Sequence, residues 1–355
     1  MNFELIPTQW FNADAIRLPD YKVGRVNYGN GRSYIRLNED GTLEQPFRLY
    51  TSLTTAINSC APMERPLLEW YCKWGLAEAE RLLKLSQHYG TLMHMEIGSY
   101  LTLNYYDFDT LQERVSAYLS TRNYWQQETD KWADDLKYDI AAFIAFAQEH
   151  EVVPLGIEYV LLSQKGFGTL IDLVCKMKIK EKGFWGEVYK SGERKGEPKE
   201  TSKVIEITAC INFKSGKHGF YRSNGIQIEC ERQLWEENFP DVKIDAAMNW
   251  APKEWRIAPD WTLKDWTGEI EQAEVDAVLS LAEIRYASKA INKKYLHIQG
   301  QAYSTRPVSD VIKQQTAEEY CYNKYSSLMG EAPEPSLLIA SQGEENTILV
   351  ENGQA

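Results

Sequence analysis

The order of hydrophobic periods along the chain limits its fold more than any other feature. Apolar residues alternate with a period near two in residues 152–162, 168–180 and 203–214, which predicts three strands in succession. Before and after these strands, apolar residues recur at helical spacing. Helices, then a group of strands, then more helices predict an α/β (α+β) fold with a sheet core and helical additions.

The predicted helices lie on both sides of the strand group. Gly90 is expected to separate the first two helices, and Gln227 is expected to open the first helix after the strands. The polar segment 181–202 should form an exposed loop or small hairpin, and residues 245–250 a possible edge strand. The helices are predicted at residues 66–88, 91–103, 124–150, 227–237, 270–293 and 308–328.

These elements suggest four segments of the chain. Residues 1–50 are rich in short strands and turns, and residues 51–268 form the core. A helical region follows at 269–330. The tail at 331–355 is rich in Pro, Ser, Glu and Gly, which predicts a flexible segment.

Composition and cysteine spacing exclude several classes of protein. With 43% hydrophobic residues, the chain of 355 residues can bury a substantial core, yet no run approaches the roughly 18 apolar residues of a membrane span. The N-terminus lacks the basic and apolar regions of a signal peptide. Six cysteines without CxxC spacing favour a cytoplasmic protein with reduced thiols. We therefore expect no membrane partner, no zinc site and no iron–sulfur cluster.

Charge is distributed unevenly along the chain. The net charge is −12, but residues 165–222 contain thirteen Lys or Arg against seven Asp or Glu. A basic strip on an acidic body is typical of local contact with nucleic-acid phosphates. The alternative is a solvated hairpin that happens to be rich in lysine.

The residues with the clearest chemical meaning lie in two predicted strands. Asp172 interrupts the apolar strand 168–180, and Asn212 and Lys214 end the strand 203–214. If these strands pair antiparallel, Asp172 approaches Asn212 and Lys214. A buried carboxylate is costly without a cation, and its oxygens are ligands for Mg²⁺ or Mn²⁺. A neighbouring lysine can hold a phosphate or stabilise developing charge, so the set suits phosphodiester hydrolysis.

Three further residues can join this site, each with a purely structural alternative. His94, early in a predicted helix, can reach the metal from the opposite wall or be a buried or capping histidine. Glu158 lies in the strand before Asp172 and can assist the ligands or face solvent. Gln227 can contact phosphate or be an ordinary residue at the start of a helix.

Taken in order, these residues resemble the successive motifs of the PD-(D/E)XK nuclease superfamily, most of all its RecB-type branch and the phage exonucleases. The resemblance covers about residues 50–256. It implies a restriction-endonuclease-like central mixed β-sheet flanked by helices, with N-terminal and C-terminal helical additions. The motifs are Gly90-Thr-Leu-Met-His94, Glu158, Gly168-Thr-Leu-Ile-Asp172, Ile211-Asn-Phe-Lys214-Ser-Gly and Ile226-Gln227.

The resemblance also implies roles for these residues. His94, Asp172 and Asn212 would bind Mg²⁺ or Mn²⁺, Glu158 would orient or assist the ligands, and Lys214 would be the catalytic lysine. Gln227 would be the glutamine of the following helix. The implied activity is that of a metal-dependent DNA nuclease, expected to be an exonuclease, in phage-type recombination, replication or repair. Linear duplex or single-stranded DNA ends would be the substrate, and a single-strand-binding or recombination protein is a candidate partner.

The chain departs from the family pattern in three places, one of them the absent cysteine cluster that holds an iron–sulfur centre in some relatives. Asn212 replaces the expected Asp or Glu, so its amide oxygen would coordinate without charge, and Glu231 stands where the family often has a tyrosine. Asn212 therefore supports an alternative, a nuclease-fold protein that binds DNA with weak or no hydrolysis. An isosteric replacement of a natural aspartate is a third possibility, and a virion structural protein a more distant one.

Overall fold

The computed structural model describes most of the chain up to residue 307. The helix predicted at 308–328 and the tail at 331–355 lie outside the described residues, as does the start of the helix predicted at 124–150. The described residues are 2–3, 6–11, 21–28, 31–38, 44, 48–61, 63–120, 129–215, 220–253, 256–291 and 299–307.

The described elements are helices and strands in alternating groups. The strands are β1 (Asn2–Phe3), β2 (Ile6–Phe11), β3 (Lys22–Tyr28), β4 (Gly31–Leu37), β5 (Leu49–Ser52), β6 (Val153–Leu162), β7 (Phe167–Gly183), β8 (Thr201–Phe213), β9 (Ala246–Pro252), β10 (Trp261–Asp265) and β11 (Gln299–Pro307). The helices are α1 (Leu53–Cys60), α2 (Arg65–Trp74), α3 (Leu76–Leu103), α4 (Leu111–Ser120), α5 (Trp132–Glu149), α6 (Arg222–Asn238) and α7 (Gln272–Ile291).

The strands pair into one mixed sheet. Its order is β10-β9-β8-β7-β5-β4-β3-β11-β2-β6, and β6 also pairs with β7, so the pairings from β7 round to β6 form a closed ring. β8 runs antiparallel to β7 and parallel to β9. This sheet, with helices on both faces, confirms the predicted mixed α/β class. The strands before residue 50 join the same sheet through the β4–β5 pair, and the predicted segment boundary there stays a prediction.

Two apolar clusters cover the two faces of the sheet. The first cluster joins α3, α4 and α5 to one face of β7, β8 and β9, and the second joins α1, α6 and α7 to the other face. Alternate residues of β8 divide between them: Ala209 and Ile211 pack in the first, and Cys210 packs in the second. Within the described part of the chain, no helix has the length and apolar character needed to cross a bilayer.

The three predicted strands are confirmed, and two of them form a long arm. β7 and β8 pair from Leu173–Ile211 to Gly183–Thr201, and the polar insert between them closes with a bridge from Val188 to Pro198. The parallel strand β9 begins opposite Ala209, and β6 begins opposite Lys176. Beyond Lys176 and Ala209, β7 and β8 pair only with each other among the described strands, and so form a two-stranded arm.

Gly90 does not interrupt a helix, contrary to the sequence expectation. α3 runs through it, and the break falls at Gly75, whose φ of +73° is outside the helical range. A Cβ at Gly90 would lie 3.0 Å from the Ser215 hydroxyl oxygen. The glycine therefore permits close approach of α3 to the end of β8, and does not terminate the helix.

Two other sequence expectations are also wrong. α6 begins at Arg222, because the Asn224 side chain accepts a hydrogen bond (2.9 Å) from the Tyr221 backbone N–H and closes the first turn. Gln227 thus lies in the second turn and does not open the helix. The strand predicted at 245–250 is not at the edge of the sheet, because β9 pairs with β8 on one side and β10 on the other.

The β6–β7 pair carries an irregularity at the level of Asp172. Ile171 packs in the second cluster and Leu173 in the first, although residues two apart in a regular strand share a face. The matching positions of β6 differ in the same way. Glu158 lies at this level with a φ of +48°, a conformation that is uncommon for residues other than glycine and clusters at functional sites. The strain therefore coincides with the two acids that the sequence singles out.

Candidate active site

The site is built around the end of β8, where the strand leaves the sheet between α3 and α6. Asp172 is 4% exposed, and its Oδ2 accepts a hydrogen bond from the Phe213 backbone N–H (2.8 Å). This contact follows from the antiparallel pairing, which places residue 172 beside residues 212 and 213. Its partner fixes the carboxylate and leaves Oδ1 directed toward α3.

His94 of α3 faces that second oxygen. Its Nδ1 lies 3.4 Å from Asp172 Oδ1, and its Nε2 lies 3.2 Å from the Phe213 carbonyl oxygen. A carbonyl only accepts, so Nε2 carries the proton. Nδ1 and Oδ1 then face each other at a distance longer than an ordinary N–H···O bond. Either a proton or a metal ion between Nδ1 and Oδ1 satisfies both atoms. At metal sites, a histidine that binds the metal through one ring nitrogen usually donates the N–H of the other to a carbonyl or carboxylate, as Nε2 does here.

The charge environment of His94 reflects the same carboxylates. Burial lowers the pKa of its imidazole, but the charge of Asp172 and its hydrogen bond, with a smaller effect from Glu158, outweigh that and raise the pKa overall. Glu158 therefore acts on the site electrostatically, from the strained position opposite Asp172. The structure places Asp172 in direct contact with the histidine, whereas Glu158 acts on it through its charge.

Asn212 is held by a residue that the sequence had not assigned to the site. Its Nδ2 donates to both carboxylate oxygens of Glu231 on α6, at 3.3 and 3.2 Å. Asn212 is 3% exposed, and its Oδ1 makes no hydrogen bond within the described part of the chain. A buried acceptor without a donor is costly, so it points to a cation or donor that completes it.

Gln227 links Lys214 to the same carboxylate. Its Oε1 accepts from Lys214 Nζ (3.1 Å), and its Nε2 donates to Glu231 Oε1 (2.8 Å). Burial lowers the pKa of Lys214, while the charges of Glu231 and Asp172 act in the opposite sense. Lys214 and Asn212 thus both depend on Glu231, one through Gln227 and one directly.

Glu231 is fully buried and carries an unusual charge environment. Burial, reinforced by the nearby Asp172 charge, raises the pKa of its carboxyl to about 8, although Lys214, Gln227 and Asn212 act to lower it. Such a shift is typical of functional sites and of structural charge networks. The Glu231 carboxyl is thus a further acidic group of the site, besides Asp172 and Glu158.

Sequence reasoning did not assign two residues of this site. Glu231 follows Gln227 by one helical turn, and residues four apart share a helix face, so that spacing was the available signal. Asn249 of β9 lies beside Asn212 in the parallel pair; its Nδ2 donates to the Asn212 carbonyl (3.4 Å), and its Oδ1 accepts from Trp266 Nε1 (2.8 Å). Nothing local in the sequence marks Asn249, because its partners come from distant positions.

The side chains present fit a divalent metal ion that has few protein ligands. Among the residues that the structure describes, no three His, Cys, Asp or Glu side chains are grouped to hold a metal. His94 and Asp172 are two side chains of these types that lie together, and the buried Oδ1 of Asn212, which has no hydrogen bond among the described residues, is a neutral third donor. Mg²⁺ commonly takes one or two carboxylates and completes its shell with water and substrate phosphate, so a sparse set is consistent with it.

Comparison with known proteins adds no family assignment. No protein-family model matches the chain, and no curated protein matches its sequence. The family resemblance therefore depends on the motifs and on the geometry that gathers them.

The Asp172–His94 contact gives a first prediction. In the metal-free protein, Asp172→Asn should lower the pKa of His94, because the substitution removes the charge that favours the imidazolium while burial stays. The measurement is the pH titration of the His94 ring by NMR. Asp241→Asn, at an exposed turn, is the control and should leave the pKa unchanged. An unchanged His94 pKa in Asp172→Asn would show that the two side chains do not interact.

Proposed function

We propose that this protein is a metal-dependent DNA nuclease of the PD-(D/E)XK type with a restriction-endonuclease-like core. It hydrolyses phosphodiester bonds, as an exonuclease on linear DNA, in phage-type recombination, replication or repair in the cytoplasm. One observation carries the proposal: His94, Asp172, Asn212 and Lys214 come from three distant parts of the chain and converge at the end of β8.

The metal would be held by His94 Nδ1 and Asp172 Oδ1, which face each other, and by Asn212 Oδ1, which has no hydrogen bond among the described residues. A bound Mg²⁺ or Mn²⁺ would supply a Lewis acid for the phosphate and lower the pKa of a water molecule. The mixed nitrogen and oxygen set, with a neutral amide in place of a carboxylate, favours Mn²⁺ over the harder Mg²⁺.

Lys214 would bind the scissile phosphate. Its ammonium has three donors, and Gln227 accepts one of them. The remaining donors can reach a phosphate oxygen and stabilise the charge that develops there. Asp172 would keep the imidazole of His94 oriented, and Gln227 would keep the lysine side chain over the end of β8.

The lysine face of the arm supports a polyanionic substrate. We use this name for Lys176, Lys178, Lys180 and Lys182, which alternate along β7 and so share one side of the arm. On the other side, Met177 is buried in the first cluster and Ile179 packs against it, while Glu181 is exposed. The lysine face begins four residues beyond Asp172 and ends ten residues beyond it, about 33 Å away at the usual rise of a strand. That length is about one turn of a DNA duplex.

A second candidate function is DNA binding without hydrolysis. Asn212 favours it, because a neutral amide binds Mg²⁺ more weakly than a carboxylate does. Such a protein would bind linear DNA and cleave nothing with either metal. Asn212→Asp would then introduce cleavage.

Cleavage of linear DNA is the direct test of the proposed activity. The protein should degrade linear DNA in Mn²⁺ or Mg²⁺, and EDTA should stop the reaction. Asp172→Ala should reduce the rate roughly 100-fold or more, because it removes the charged ligand at the reacting centre. Asp241→Ala, an exposed control of the same chemical change, should keep the wild-type rate.

Equal degradation by the protein and by Asp172→Ala would indicate a contaminating nuclease and contradict the proposal. DNA binding without degradation in either metal would favour the second candidate.

The lysine face gives a separate prediction about binding. Lys180→Glu with Lys182→Glu should weaken binding to linear duplex DNA and reduce the slope of log K against log salt by about 2, because each phosphate contact contributes about 0.9. Hydrolysis of a small phosphodiester should not change, since these residues lie far along the arm. The matched control is Lys131→Glu with Lys137→Glu. Both lysines are exposed; Lys131 immediately precedes α5, and Lys137 lies within it. An unchanged salt slope would show that the arm does not contact DNA.

A further inference from the structure

The orientation of the Asn212 amide is set by a single neighbour. In its ionised form Glu231 has no hydrogen to donate, so it can receive only the NH₂ end of an amide. Both of its oxygens lie within 3.3 Å of Asn212 Nδ2. Rotating the amide by half a turn would place the carbonyl oxygen against the carboxylate, which is repulsive. The carbonyl oxygen therefore points away from α6.

That carbonyl oxygen is the atom left without a partner. Asn212 Oδ1 is buried, and no donor among the described residues reaches it. A single amide orientation accounts for both facts: Nδ2 faces Glu231 on α6, and the other end is an unsatisfied acceptor among the described residues. Glu231 also receives the Gln227 amide, so it is itself held in place.

We infer that Glu231 is a positioning residue, which holds Asn212 so that its carbonyl oxygen faces the metal and the asparagine can act as a neutral ligand. The inference rests on the proposed metal site and goes beyond it, because it explains how an asparagine can serve where an acid is expected. It also accounts for an acid at a buried position on α6, one helical turn from Gln227.

Manganese affinity of four proteins tests the inference. These are the wild type, Glu231→Gln, Asn212→Asp and the double variant, with Mn²⁺ binding measured by calorimetry in the absence of DNA. Glu231→Gln should weaken binding about tenfold or more, as is usual when a partner that orients a ligand is lost, because a glutamine can accept or donate and no longer selects one amide orientation. In the Asn212→Asp background, Glu231→Gln should reduce Mn²⁺ affinity only slightly. Both ends of the aspartate carboxylate are oxygens, so either end can face the metal.

Two further measurements separate positioning from a general effect on the fold. Glu229→Gln makes the same chemical change on the same helix, at a carboxylate paired with Arg232, and should leave Mn²⁺ affinity unchanged. The NMR signals of the Asn212 side-chain NH₂ in the metal-free protein should shift in Glu231→Gln and stay in Glu229→Gln. Thermal unfolding of each variant confirms that it is folded.

Each outcome decides the inference. Equal Mn²⁺ affinity of the wild type and Glu231→Gln overturns it. If Glu231→Gln reduces Mn²⁺ affinity equally with Asn212 and with Asn212→Asp, the inference is also overturned, because the effect would then be structural or purely electrostatic. Rescue in the Asn212→Asp background supports it.

The experiment also separates this inference from the proposed function. If the wild type binds no Mn²⁺, the metal site fails and the inference fails with it. If the wild type binds Mn²⁺ but never cleaves DNA, the nuclease proposal fails while the comparison of variants still tests the role of Glu231.

Discussion

The rest of the site depends on one buried carboxylate that receives two side-chain amides. Glu231 binds Asn212 directly and Gln227 in the same helix, and Gln227 in turn binds Lys214. In its ionised form Glu231 only accepts, so it determines the orientation of both amides at once. A fully buried acid is unfavourable by itself, and the raised pKa of Glu231 reflects that cost. Its hydrogen bonds lower the cost and in return order the residues around the end of β8.

The sheet supplies the other half of the arrangement. Antiparallel pairing of β7 with β8 places Asp172 against the Phe213 N–H, and the helix α3 brings His94 over the same point because Gly90 allows close approach. The strained backbone at Glu158 lies at this level of the sheet. Strain of this kind costs on the order of 1–3 kcal/mol and persists only where the surroundings fix it. The fold thus keeps an unfavourable conformation where the acids gather.

Some of this could be predicted from the sequence, and the reason differs from residue to residue. Period-two patterns predict β6, β7 and β8, and alternation within paired strands predicts that Asp172 approaches Asn212 and Lys214. The helix boundaries at Gly90 and Gln227 were predicted wrongly. A glycine that permits close packing cannot be told from one that ends a helix by sequence alone. The cap formed by Tyr221 and Asn224, which starts α6, carries no strong sequence signal. Asn249 and the face change at Asp172 depend on contacts between distant segments, which periodicity cannot show. Glu231 was within reach through its spacing from Gln227.

The central claim is that the end of β8 is a divalent-metal site made by His94, Asp172 and Asn212. Anomalous diffraction from a crystal soaked in Mn²⁺ tests it most directly. We expect an anomalous peak within coordination distance of His94 Nδ1, Asp172 Oδ1 and Asn212 Oδ1. No peak there, or a direct hydrogen bond between His94 and Asp172 that persists in saturating Mn²⁺, would contradict it.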